Sequence, residues 1–392
     1  MKTRFILLIA LLALSWMLQA QNVSGLDLPL PQFTNPFYDS FSKNYPGINA
    51  AGRGNTGVAA LGDATTLLLN PAGAVPDSTQ LFLELDFKPP IEAYGYSTYA
   101  RYSAPPPFSL LGVSGKLGSK VSGGLYYNMP KSILLDDFSI LINQGNDMVV
   151  RLPVYYIYQL TANLGYHSGP WHWGVNVHNQ LHYTDDTVFL KTYDRVRDFK
   201  YALRIQPGLI YDFGKVNVGL SVMPPTRYDW DLKYKNYDVI QPLWLNAGLS
   251  GEHKGFNVSL ETEFEQFSAI SDDFKDRITL KAGVEKAKGS MVYRAGYLHT
   301  SNVFAGLIQL PENTSATADT SIFWNDVPTS FTIKDGSQHI ISCGLSHYHR
   351  DGSINLAAMH SFSADAPQTQ VMISLSLYLS SFHRKSFMYF DD

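Results

Sequence analysis

Between residues 80 and 380 the chain alternates apolar and polar positions with a period of two. Leu81, Leu83, Leu85 and Phe87 alternate with Phe82, Glu84 and Asp86. Val216, Val218, Leu220 and Val222 alternate with Asn217, Gly219 and Ser221. Leu243, Leu245, Ala247 and Leu249 oppose Trp244, Asn246, Gly248 and Ser250. Phe256, Val258, Leu260 and Phe264 oppose Asn257, Ser259, Glu261, Glu263 and Glu265. Ile278, Leu280, Ala282 and Val284 oppose Thr279, Lys281, Gly283 and Glu285, and Val371 to Leu379 repeats the pattern. Successive side chains of a strand point to opposite faces, so each segment predicts a strand with one apolar and one polar or small face.

A soluble sandwich also alternates. Length, connection and aromatic placement favour a membrane barrel. The segments are often about 10–12 residues, the reach of a tilted membrane strand. Very short turns join pairs of them at Gly214-Lys215, Lys254-Gly255, Lys288-Gly289 and Asp351-Gly352, whereas 301–337 is long and polar. Alternation of short turns with long loops is characteristic of outer-membrane barrels. Tyr126-Tyr127, Tyr155-Tyr156, Tyr228 and Tyr297 near segment ends suit interfacial girdles. Strands are expected near 80–103, 107–117, 119–131, 149–167, 171–189, 196–212, 215–229, 242–253, 256–266, 276–287, 290–300, 338–349, 352–363 and 368–380. The count is about fourteen, even as single-chain bacterial barrels require. The expected fold class is all-β, a membrane-spanning antiparallel barrel.

The first 78 residues do not alternate. Lys2 and Arg4, an apolar run from Phe5 to Leu14 and a small residue at Ala20 read as a signal peptide over 1–20. Residues 21–78 are rich in Pro, Gly and Asn. Within them, 63–69 are expected to form one short helix, capped by Asp63 and ended before Pro71. Irregular backbone cannot face lipid but can sit inside a lumen, so an arm and plug over 21–78 ahead of a barrel over 79–382 is the expected organisation. A charged tail, 383–392, follows.

The run Gly54-Asn55-Thr56-Gly57-Val58-Ala59, then Asp63-Ala64-Thr65-Thr66 and Asn70-Pro71-Ala72-Gly73, resembles the hatch of the FadL/TodX outer-membrane transport family. Residues 338–346 and 243–250, each with its following hairpin, are similar to strands of that family. The resemblance implies a fourteen-stranded barrel closed by a hatch, moving hydrophobic small molecules such as long-chain fatty acids across the outer membrane of a Gram-negative bacterium. It implies that Asn70, Pro71, Ala72 and Gly73 lie beside a kinked third strand and a lateral opening. Gly123-Gly124 is where that strand is expected to bend. The arm over 21–49 is longer than the family's, and with the tail 383–392 it is the expected contact for a protein partner. A barrel component or anchor of a protein-secretion machine is therefore the competing function.

Composition narrows the remaining chemistry. The chain has 392 residues, a net charge of −4, 16% charged residues and a single cysteine, Cys343. This offers no electrostatic case for nucleic acid and no disulfide framework. Glu261, Glu263, Lys281, Glu285 and Arg294 are expected in one inward patch, a polar network of the lumen. Histidines gather at His167, His172, His178 and His182 and at His347 and His349. His347 and His349, two residues apart, share a strand face and with a third ligand would suit a metal, yet wet loop-end histidines explain them as well, and no metal or cofactor is assigned. No nucleophile elbow or phosphate loop stands out, so the chain is not expected to be an enzyme. Outer-membrane lipids and a hydrophobic ligand are the expected partners.

Overall fold

The computed structural model describes residues 22–24, 43–74, 78–88, 91–95, 98–102, 108–133, 135–141, 147–149, 154–189, 193–232, 235–269, 274–301, 306–309, 330–333, 337–362 and 368–379. The expected signal peptide, most of the arm and the tail 383–392 lie outside them.

Fourteen antiparallel strands close into a barrel. In chain order they are β1 (Gln80–Phe87), β2 (Phe108–Lys116), β3 (Val121–Ile133), β4 (Val154–Ser168), β5 (Trp171–Phe189), β6 (Tyr193–Asp212) and β7 (Val216–Met223). They continue as β8 (Trp244–His253), β9 (Phe256–Glu265), β10 (Arg277–Lys288), β11 (Met291–Thr300), β12 (Gln338–His349), β13 (Gly352–Ser361) and β14 (Gln368–Tyr378). Closure is made by β1 against β14, in register from Gln80↔Tyr378 to Phe87↔Val371. Closure leaves no strand edge unpaired, which is what admits a sheet to lipid.

The period-two pattern decides which face is which. Leu160, Leu164, Leu203, Ile205, Leu249, Leu260, Leu280, Ile341, Leu356 and Leu375 are all exposed on the outer wall, as is Cys343. Their polar neighbours, such as Asn163, Asn246, Ser259 and Ser374, are buried inside. At the turn end of the outer wall, Trp171 stacks on Trp173 and meets Tyr211 edge-on, with Phe213 beside Tyr211. Toward the loops, Tyr156, Tyr183 and Phe199 form a second aromatic row. The stretch of β5 from Trp173 to Tyr183 matches the roughly 9–11 residues of a tilted membrane strand. Lys254 and Gly255 both take positive φ, 52° and 74°, the pairing that a two-residue hairpin turn requires.

Two expected strands are shorter than their alternation suggests. The first ends at Phe87, and Ile91–Gly95 and Thr98–Tyr102 join Asn22–Ser24, Leu135–Leu141 and Asp147–Val149 in a separate five-stranded sheet at the loop end. The seventh ends at Met223, and Thr226–Leu232 pairs with Lys235–Gln241 as a hairpin outside the barrel. Pro89-Pro90 and Pro224-Pro225 have no N–H for the ladder, so pairing cannot run through either site. Tyr126 is not a girdle residue. It points into the lumen, is 1% exposed and stacks on Phe82 at 5.5 Å. Adjacent residues face opposite ways, so Tyr126 and Tyr127 cannot share the outer wall.

Leu260, 56% exposed at mid-strand on β9, provides a test of the lipid-facing wall. Leu260→Arg is expected to cost about 2–4 kcal/mol in a bilayer. Denaturant unfolding in lipid vesicles measures it. An unfolding midpoint equal to that of the wild type would take this face out of the membrane.

Candidate functional site: a segment hydrogen-bonded across the lumen

Residues 43–74 make contacts with strands around the whole circumference, so they occupy the lumen. Their local structure is short and irregular. One helix, α1 (Ile48–Gly52), was not legible in the sequence. It follows Gly47 at φ 94°, a left-handed conformation that favours glycine. The expected helix over 63–69 is only a 3₁₀ turn, Ala64–Thr66, with Asp63 Oδ1 accepting from Thr65 N at 3.0 Å. A second 3₁₀ turn, Pro71–Gly73, starts with proline at its first position. Asn70 Oδ1 caps it by accepting from Ala72 N at 3.0 Å.

The wall holds the first half of the segment by its N–H groups. Glu84 on β1 accepts from Gly47 N at 3.1 Å and Ile48 N at 2.6 Å. Glu261 on β9 accepts from Gly57 N and from Val58 N, the latter at 2.7 Å. Ser342 Oγ accepts from Gly54 N at 2.8 Å. Each carboxylate bridges two successive amides, a charge-assisted arrangement stronger than neutral pairs.

The second half is held by its carbonyls, from neutral side chains. Asn176 Nδ2 donates to Leu67 O at 2.8 Å, Gln206 Nε2 to Leu68 O and Leu69 O at 3.2 Å, and Ser122 Oγ to Ala74 O at 2.5 Å. Asn70 Nδ2 reaches Val58 O at 2.6 Å within the segment and the wall carbonyls Leu209 O at 3.1 Å and Leu220 O at 3.3 Å. Asn70 is extended, φ −150°, as a residue before proline must be. Pro71 and Ala72 lie against β4 to β6: Asn163 Nδ2 donates to Pro71 O at 3.4 Å, and a Cβ added at Gly174 would strike Pro71 and Ala72 N. Gly73 N returns to Asn70 O at 3.1 Å, and Gly73 O accepts from Gly62 N at 3.0 Å.

Close approach explains the wall glycines. A Cβ at Gly208 would collide with Asn70 and Pro71, at Gly219 with Val58, at Gly283 with Arg53, and at Gly296 with Gly54. Along this arc the segment lies backbone to backbone on the wall, so nothing passes there unless the segment moves. Elsewhere the contact is through apolar side chains. Phe82, Leu110 and Tyr126 pack on Ala64, Leu67 and Ala74, and Leu298, Ile340, Met359 and Met372 pack on Tyr45, Ile48 and Ala51.

The expected ionic patch divides in two, and each half includes charges from the segment. Toward the loops, Glu263 meets Lys281 at 2.6 Å and Lys43 at 2.5 Å, with Glu265 3.6 Å from Lys43 and 3.2 Å from Arg277. Desolvation pulls the Lys43 pKa down, but Glu263 and Glu265 outweigh it and hold it above the ordinary lysine value. Toward the turns, Glu285 lies between Arg294 at 2.5 Å and Arg53 at 3.3 Å, and Arg53 also meets Asp63 at 3.6 Å. Below this cluster, a cavity of about 580 Å³ is lined by Asp63, Thr65, Asp212, Lys215, Glu285 and Arg294.

Gly123 and Gly124 pair in unbroken register with both neighbours. Gly124 leaves room for the Tyr126 ring. The irregularity of β3 falls later, between Asn128 and Lys131, around a proline that cannot donate to the ladder. There Asn44 donates to Met129 O at 2.7 Å from its side chain and to Pro130 O at 3.0 Å from its backbone. Lys43, Asn44, Arg53 and Glu84 are residues that sequence reasoning missed. Only Glu84 carried a signal, as a carboxylate on the inward positions of an alternating strand.

Solved structures share this architecture. The chain matches a FadL homologue from Pseudomonas aeruginosa with a TM-score of 0.63 at 11% identity, over 85% of this chain and 98% of that one. It matches the toluene transporter TodX of P. putida with a TM-score of 0.62 at 14% identity, over 88% and 100%. The monoaromatic hydrocarbon channel CymD follows at 0.57 and 14%, over 87% and 98%. No family model and no curated protein matches the sequence. At these identities what is shared is the fold, and it is the fold of the family that the hatch motif resembles.

Lys281 is buried against Glu263, whereas Lys288 is exposed at the turn. Lys281→Glu is expected to destabilise by about 3–5 kcal/mol, because it leaves buried carboxylates facing one another. Lys288→Glu is expected to be near neutral. Thermal unfolding in detergent compares them, and equal shifts would remove Lys281 from the ionic cluster.

Proposed function

We propose that the chain is an outer-membrane channel of a Gram-negative bacterium that admits hydrophobic small molecules, with long-chain fatty acids and monoaromatic compounds the substrate classes to try. The observation that carries this reading is the filling of the barrel by a segment that, among the described residues, bridges to a wall strand only at Lys43–Lys131 and is otherwise held by hydrogen bonds, ion pairs and side-chain packing. Such a plug can shift without breaking a strand pair of the barrel. The chain then divides into a hatch within 21–78 and a barrel over 79–382, and it does no covalent chemistry.

In this reading Asn70-Pro71-Ala72-Gly73 is the latch. The proline and the cap fix its shape, and the Asn70 amide ties it to β6 and β7. The apolar arc of Phe82, Leu110 and Tyr126, packed on Ala64, Leu67 and Ala74, is the side that a shift of the segment opens to a hydrophobic molecule, since the ionic clusters would exclude it. The three named neighbours are supporting analogies of fold.

Two measurements test the proposal. Cells producing the protein should take up a labelled long-chain fatty acid or a hydrophobic fluorophore faster than cells without it, and equal rates for every probe would reject the channel. Asn70→Ala removes the cap and three donated bonds, a loss of about 1–3 kcal/mol from the latch. It is expected to raise leak conductance in planar bilayers while leaving heat-modifiable migration intact. Wild-type leak from the folded variant would reject the latch.

A further inference from the structure

His167 and His172 flank the Gly169-Pro170 turn and face each other directly across β4 and β5. Both lie on the inward positions of their strands, at the turn end. Their rings are 6.2 Å apart between centroids and 24° from parallel. His167 Nε2 lies 3.1 Å from Ser119 O. A carbonyl can only accept, so Nε2 carries the proton and Nδ1 keeps a bare lone pair. Nδ1 of His167 and Nδ1 of His172 are both buried, and among the described residues neither has a hydrogen-bond partner. The histidines deeper in the lumen differ. His178 is bonded by Thr161 at 2.8 Å and Gln206 at 2.9 Å, and His182 lies 3.2 Å from Gln180 Oε1.

We propose that His167 and His172 form a two-histidine site for a borderline transition-metal ion, of the class of Zn²⁺, Cu²⁺ or Ni²⁺, at the turn end of the lumen. The ion answers the two orphaned nitrogens, since a buried acceptor without a partner costs free energy that a ligand restores. Imidazole is a preferred donor for these metals. With metal–nitrogen bonds of about 2.0–2.1 Å, two imidazoles sharing an ion place their centroids roughly 5–6 Å apart, close to the 6.2 Å separation here. The bond from His167 to Ser119 O is the outer contact that fixes tautomer and ring orientation in metal-ligating histidines. Asp212, on the adjacent strand, is close enough to interact electrostatically with His172. Its carboxylate accepts from Gly214 N at 2.6 Å. It supplies nearby negative charge. Among the described residues no group of three or more His, Cys, Asp or Glu is placed to hold an ion. The remaining positions therefore fall to water, and the site is open and exchangeable. His167 N also donates to Lys120 O at 3.0 Å, so an ion here would tie β4, β5 and the turn before β3 together.

The test uses the full chain, purified in detergent. Cu²⁺ titration followed by electron paramagnetic resonance is expected to show one equivalent with splitting from two nitrogens. His167→Gln and His172→Gln should each weaken that equivalent at least tenfold, while His347→Gln with His349→Gln leaves it in place. A double variant at 167 and 172 with wild-type stoichiometry and affinity would overturn the site, as would a wild type that binds no Cu²⁺ below millimolar concentration. A second measurement needs no variant. Zn²⁺ should protect His167 and His172, but not His349, from diethylpyrocarbonate as read by mass spectrometry. Equal labelling of the pair with and without Zn²⁺ would count against it.

Discussion

In a bilayer every backbone N–H and C=O must find its partner inside the protein, because lipid offers none. The pairing of β1 with β14 meets that demand for the wall, since it turns a sheet with two bare edges into a ring with none. The same demand then falls on whatever lies inside. Residues 43–74 have too little regular structure to satisfy themselves, so their polar groups are met from the wall. Carboxylates, amides and hydroxyls line the inner face for this reason, and the outer face is left to leucine, valine and isoleucine.

The two halves of the segment are met differently. Where N–H groups point outward, the wall presents Glu84 and Glu261. Where carbonyls point outward, it presents Asn163, Asn176, Gln206 and Ser122. The glycines of β5, β6, β7, β10 and β11 are the steric side of the same arrangement. Hydrogen bonds between backbone and short side chains need close approach, and a Cβ at Gly208 or Gly296 would prevent it. Holding a plug by many modest polar bonds differs from burying it in a continuous apolar core. Each bond contributes little by itself, and the hold comes from their number.

The ionic clusters add a constraint on register. Glu263 and Glu285 each sit between a wall cation and a segment cation. Sliding the segment along the lumen would separate both sets together and leave buried charges unpaired. That penalty is large, and it defines one resting position.

Alternation together with segment length and the pattern of short turns and long loops predicted the barrel and about fourteen strands, and alternation alone predicted the inward placement of Glu261, Glu263, Lys281, Glu285 and Arg294. These are local properties, because a strand's faces follow from adjacent residues alone. The Asp63 cap was legible for the same reason, being a contact within two residues. Tertiary structure decided what lies far apart in sequence. Arg53 and Glu285 are 232 positions apart, and no local pattern pairs them. The irregularity of β3 fell beside Pro130 rather than at Gly123-Gly124, because the proline has no N–H for the ladder, and there Asn44 donates to the carbonyls of Met129 and Pro130. In the sequence, strand glycines such as Gly219 and Gly283 read only as small residues on the polar face. Only the path of the segment across the lumen shows them to be spaces that its backbone fills.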